Sequence, residues 1–151
     1  MTIREHTVEE LAAQPVGYWS TAASRAVLGR IRADLGVERL GQPHWWTLNH
    51  VAGAPGTWTR TTLAARLDRF ADPGVEFDAV FADLIERGWL VEHADTLTLT
   101  DAGEAGRQRA RARMAAGHEQ MHVGVSPAEY AAALNVLRRI IDNLGADSDL
   151  P

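Results

Sequence analysis

Trp19, Ala23, Val27, Ile31 and Leu35 stand four residues apart in a stretch free of proline. Near the other end, Tyr130, Leu134, Leu137, Ile141 and Leu144 alternate by four and three. Each spacing draws one apolar stripe along an α-helix. A helix of this kind gains most of its stability from covering its stripe, not from backbone propensity. Two such stripes at opposite ends of a 151-residue chain carry more apolar surface than a small lobe between them can cover. The simplest cover is another copy of the chain. A mainly helical fold and a homodimer are therefore expected.

The segments around and between the stripes are short and well punctuated. Thr7-Val8-Glu9-Glu10 has capping-box spacing and predicts a short helix that stops before Pro15. The first striped helix is expected from Val16 to about Leu35, with Gly36 and Gly41 marking its end. A third helix reads from Pro43 through Val51, followed by a turn at Gly53-Ala54-Pro55-Gly56. Thr59 can cap a helix bearing Leu63, Ala64, Leu67 and Phe70, which Asp72-Pro73-Gly74 breaks. From about Val75 to Arg87, Phe77, Val80, Phe81 and Leu84 share a face, and Gly88 supplies the stop. Trp89-Leu90-Val91-Glu92 and Leu97-Thr98-Leu99 read as a hairpin. A long helix is expected from Asp101 to about His122. The last begins at Ser126-Pro127-Ala128-Glu129 and ends at Gly145. The tail from Ala146 to Pro151 is expected to fray. Two helices and a hairpin in the middle of this order make a winged helix.

Particular stretches sharpen that reading. They are Pro43-His44-Trp45-Trp46-Thr47-Leu48-Asn49, Leu63-Ala64-Ala65-Arg66-Leu67, Asp83 through Val91, Leu97 through Gly103, and Ser126-Pro127-Ala128-Glu129-Tyr130 with Asn143-Leu144-Gly145. In order and spacing they resemble the multiple-antibiotic-resistance (MarR) family of winged helix-turn-helix transcriptional regulators. The resemblance implies a single domain over 1–151, with dimerisation helices at 1–42 and 104–151 and a winged-helix lobe at 43–103. It implies a homodimer presenting two recognition helices to a palindromic operator in double-stranded DNA. It also implies a small-molecule pocket between the dimer helices and the lobe, so that an aromatic or phenolic effector releases a repressor.

Charge bears directly on that expectation. The formal net charge is -5, from 15 basic and 20 acidic residues. Every basic residue is Arg, which suits phosphate and base-edge contacts. Where the family carries Ser, Thr and Arg at the start of the recognition helix, this chain has Glu76, Asp78, Ala79 and Asp83. Between Asp72 and Glu104 there are nine carboxylates and a single Arg, Arg87. The family's Arg-bearing wing is replaced by His93-Ala94-Asp95-Thr96, which has none. DNA contacts are therefore expected from Thr57, Thr59, Arg60, Thr61, Thr62, Arg66 and Arg69 around the preceding helix, together with Arg87. Caps and solvated charges would explain the same residues. Two other readings stay open: a dimer that has lost DNA binding and holds a small molecule, and an acidic module that docks on a basic protein.

Other constellations are smaller. Tyr18, Trp19, His44, Trp45, Trp46 and His50 form the candidate effector pocket implied by the resemblance. Adjacent side chains on a helix point about 100° apart, so only one of Trp45 and Trp46 is expected to face the core. His118-Glu119-Gln120-Met121-His122 fits the HExxH pattern of zinc proteases. No third ligand is evident, and surface or interface histidines are the expectation. Arg107, Arg109, Arg111 and Arg113 wrap around their helix and are expected to pair with carboxylates. There is no catalytic triad, phosphate loop or dinucleotide fingerprint, so no enzyme, metal or cofactor is expected. With no cysteine, no apolar run of membrane length and no signal-peptide pattern, a cytoplasmic address follows by elimination.

Overall fold

The structure is a computed structural model that describes residues 3–148. Its elements are α1 (Val8–Ala12), α2 (Val16–Gly36), α3 (Gln42–Gly53), α4 (Arg60–Leu67), α5 (Phe77–Glu86), β1 (Leu90–His93), β2 (Thr96–Leu99), α6 (Asp101–Met121) and α7 (Pro127–Asn143). This is the helical order with one hairpin that the sequence predicts. The main shift is at α5, which starts at Phe77 because Glu76 keeps an extended backbone as its N-cap. No helix among the described residues is long and apolar enough to cross a membrane. The chain divides into two compact units, Met1–Met114 and Ala115–Pro151.

In the first unit the core gathers on α3. Leu48 and Val51 of α3 are fully buried with Leu35 of α2, Leu63 and Leu67 of α4, Phe81 and Leu84 of α5, and Leu97 of β2. Thr47, the one buried polar side chain among the described residues, turns its hydroxyl back to the Pro43 carbonyl at 2.8 Å. That bond spares the interior an unpaired polar group. Phe77, Val80, Phe81 and Leu84 line one face of α5, as their spacing requires. Gly88 then takes φ 72°, and the Trp89 and Gly88 amides close on the Leu84 and Ile85 carbonyls at 2.9 Å each. This left-handed end turns the chain out of α5 and into β1.

β1 and β2 pair antiparallel, Leu90 opposite Leu99 and His93 opposite Thr96. Ala94 and Asp95 make the two-residue turn with φ of 48° and 64°. Both values are positive, the geometry whose twist suits a tight hairpin. The Leu97 amide donates to the Trp58 carbonyl at 2.8 Å, tying the hairpin to the segment that leads into α4.

Trp89 fixes how α6 leaves the hairpin. Its carbonyl lies against Gly103 and its indole against Gly106, so close that a Cβ at either glycine would overlap it. At the other end of the lobe, α2 closes with Arg39 in the left-handed conformation, φ 55°. The Leu40 amide reaches back to Leu35 and the Arg39 amide to Gly36. Glycine usually fills that position.

In the second unit α7 has the full capping box. Ser126 accepts from the Glu129 amide at 3.3 Å, and Glu129 accepts from the Ser126 amide at 2.8 Å. Within the expected frayed tail, Arg138 donates to the Ser148 carbonyl at 3.1 Å. The rest of the expected frayed tail, 149–151, lies outside the described residues.

Much of each stripe stays open to solvent. Trp19 and Val27 of the first stripe are exposed, and so are Tyr130, Leu134 and Leu144 of the second.

Two substitutions test the local geometry by urea denaturation. Gly106→Ala must push a half-buried indole aside and is expected to cost about 1–3 kcal/mol. Arg39→Gly removes a strained conformation worth about 1–2 kcal/mol against about 0.4–1 kcal/mol of extra unfolded-chain entropy, so a small gain in stability is expected. A loss of stability in Arg39→Gly would show that the arginine earns its place by contacts.

Candidate functional site

The start of α4 is built from threonines. Thr59 accepts from the Thr62 amide at 3.1 Å, and the Thr62 hydroxyl oxygen accepts from the Thr59 amide at 3.0 Å. These two hydroxyls are engaged as caps, while Thr57 and Thr61 are exposed at the same helix end. Arg60 crosses to β1 and pairs with Glu92 at 2.6 Å. Arg66 lies over the Phe70 ring at 5.4 Å, and Arg69 is exposed. The α4 start therefore presents hydroxyls and a helix N-terminus beside an arginine already paired with a carboxylate.

The outward face of α5 carries Asp78, Ala79, Ala82 and Glu86, all exposed, with Glu76 at its cap. None of these side chains donates a hydrogen bond when ionised. Asp83 sits apart from them. It meets His44 Nε2 at 3.0 Å and Arg87 at 2.6 Å. Arg87 also donates to the Glu38 carbonyl at 3.3 Å. The Glu38 carboxylate in turn accepts from Arg109 at 2.9 Å and Arg113 at 2.7 Å. Those two guanidinium groups hold its pKa at about 2, well below the usual carboxylate range. Arg107 is clasped by Glu104 at 2.8 Å and donates to Asn49 at 3.0 Å. Three of the four alternating arginines of α6 thus pair within the chain. His44, Asp83 and Glu38 form a connected set that sequence reading did not assemble. His44 and Asp83 stand 39 residues apart and Glu38 and Arg113 stand 75 apart, so the pairings leave no periodic signal.

The aromatic residues fall into two groups. Tyr18 and Trp19 meet edge to face at 6.3 Å on the first turns of α2. Trp19 also borders an open cleft of about 410 Å³ with Ile3, Arg4, His6 and Leu11. His44, Trp45, Trp46 and His50 run along α3. Trp45 and Trp46 both pack against the core, which corrects the expectation that only one can. The reason is that α3 is enclosed: α2, α4, α5 and β2 all pack on it, so directions 100° apart still meet protein. His50 bonds the Trp46 carbonyl at 2.9 Å and faces the Trp58 ring at 6.0 Å.

In the second unit the His118 and His122 rings lie 4.4 Å apart, and Tyr130 meets His122 at 4.5 Å. Among the described residues no group of three metal-capable side chains occurs. The HExxH spacing is therefore packed as an aromatic cluster with Tyr130.

No protein-family model matches the sequence, and no curated protein does. Solved structures match over most of its length. The transcriptional repressor CouR bound to p-coumaroyl-CoA is 26% identical, with a TM-score of 0.65 over 90% of this chain and 97% of that one. The PcaV transcriptional regulator of Streptomyces coelicolor is 22% identical, with a TM-score of 0.70 over 87% and 98%. The MarR-family protein Rv2887 of Mycobacterium tuberculosis, in complex with DNA, is 21% identical, with a TM-score of 0.63 over 88% and 99%.

The pH dependence of stability tests the Glu38 clamp. Its folded pKa is lowered from 4.5 to about 2, so the clamp's stabilisation is complete above 4.5 and is lost as pH falls from there toward 2. Glu38→Gln should lie below the wild type at neutral pH, with the gap closing across that window in urea denaturation. A constant gap would show that Glu38 contributes packing alone.

Proposed function

We propose, with the MarR-family winged-helix fold as premise, that this chain is a ligand-responsive, DNA-binding transcriptional repressor acting as a homodimer. The exposed stripes of α2 and α7 carry this reading. Helices within 1–42 and 104–151 pair with those of a second copy, and the lobes at 43–103 sit side by side on a palindromic operator. The role is non-enzymatic and its setting the cytoplasm. DNA is held chiefly at its phosphates, by Thr57, Thr59, Thr61 and Thr62 with Arg60, Arg66 and Arg69, and Arg87 braces α5 from behind. The effector is a small aromatic or phenolic compound, by analogy with CouR and its bound p-coumaroyl-CoA. Tyr18, Trp19, His44, Trp45, Trp46 and His50 line its pocket.

One observation favours a second reading. Arg60 is neutralised by Glu92, and the outward face of α5 is acidic. A dimer of this surface could bind its small molecule and hold DNA only weakly. Titration of the operator-containing promoter region against salt separates the two. A falling log–log salt dependence supports the repressor, and no binding at low salt supports the second reading. A monomer in light scattering would remove both.

The Arg60–Glu92 pair yields a directional test. Glu92→Gln releases Arg60, so DNA affinity should rise several-fold and the salt dependence steepen by about one ion. Arg60→Ala should weaken all sequences alike. An unchanged affinity in both variants would take Arg60 out of the interface.

A further inference from the structure

One hydroxyl joins the end of α5 to the start of α6. Thr100 precedes α6, and its side-chain oxygen accepts from the Gly103 amide at 3.0 Å, closing the first turn of that helix. The same hydroxyl has one proton to give. It donates that proton to the carbonyl of Gly88, the residue that turns the chain out of α5. The Thr100 amide donates to the Trp89 carbonyl at 3.1 Å, one step beyond the pairing of Leu90 with Leu99.

Trp89 fills the space that two missing Cβ atoms leave on α6. Its carbonyl lies against Gly103 and its indole against Gly106. Residues three apart are neighbours on a helix surface, so the two glycines form one shallow face. The Trp89 amide is itself bonded to the Leu84 carbonyl in the last turn of α5, at 2.9 Å. The first half of α6 belongs to the same compact unit as α5, with Ala110 fully buried.

We propose that Thr100 and Trp89 are positioning residues that hold α5 and the first half of α6 at one fixed angle. A tilt of α5 then carries α6 with it, because the hydroxyl ties the two helix ends and the indole leaves no gap between them. A cap alone needs only an acceptor at position 100. The bond to Gly88 needs a donor as well, and a hydroxyl supplies both through one atom. The bearing on DNA rests on reading α5 as the helix that faces the major groove. The joint itself stands without that reading.

The test uses the full chain without DNA. The chain has no cysteine, so Ala79→Cys on α5 and Ala112→Cys on α6, both at exposed positions, accept a pair of spin labels. Labelled chain is diluted into unlabelled chain, so that only distances within one copy are read. The intact joint should give one narrow distance. Thr100→Asp keeps an acceptor for the Gly103 amide, but its ionised carboxylate has no proton for Gly88. The distance should broaden while Gly103 amide exchange stays unchanged. Exchange at position 100, corrected for its intrinsic rate, should rise roughly three- to tenfold, as loss of one neighbouring hydrogen bond implies. Trp89→Leu empties the space beside Gly106 and should broaden the distance too. Thr100→Ser restores both bonds and should return the narrow distance. If one of Thr100→Asp and Trp89→Leu fails to fold, the other decides. A narrow, unshifted distance in these variants would overturn the proposal, and so would equal broadening in Thr100→Ser and Thr100→Asp. Failure of the unaltered chain to bind DNA would count against the reading of α5 and leave this result standing.

Discussion

The enclosure of α3 is the constraint on which the rest of the lobe depends. Once α2, α4, α5 and the hairpin close around Leu48 and Val51, every polar group carried inward must find a partner inside the protein. Thr47 turns to its own helix, Asn49 joins Arg107, and His44 reaches Asp83. The last two couple α3 to α6 and to α5. Burial of one helix thus generates the polar framework that sets the others.

That framework draws on the charge a DNA-binding surface would otherwise present. Arg87, Arg107, Arg109 and Arg113 are held by carboxylates or carbonyls of the same chain, and Arg60 by Glu92. The outward face of α5 is left with small and acidic side chains. An electrostatic pull on phosphate must then come from α4 and from helix N-termini, where dipoles substitute for net charge. A fold shared with a regulator solved on DNA therefore coexists here with an acidic outward face on α5.

Local chemistry made most of the elements legible. Thr7, Thr59 and Ser126 cap where their spacing says they should, and Gly88 ends α5 in the conformation only glycine adopts freely. These signals act within a turn or two of the chain, so a linear reading captures them. The sites were less legible. That Thr59 and Thr62 would engage each other was open on sequence, since the same hydroxyls serve a cap or a phosphate. Nothing in the spacing of Glu38 and Arg113, or of His44 and Asp83, announces a contact. The two adjacent tryptophans were misread for the same reason: helical geometry says where each points, and packing says what stands there.

By itself the sequence determined the order of helices, their caps, the hairpin, and the apolar stripes that a lone lobe leaves uncovered, because propensity and periodicity are properties of neighbouring residues. Tertiary structure decided which charges are engaged. It gave Glu38 to the α6 arginines, Glu92 to Arg60 and Asp83 to His44, because an ion pair depends on distance in space, and only the packed core sets that distance.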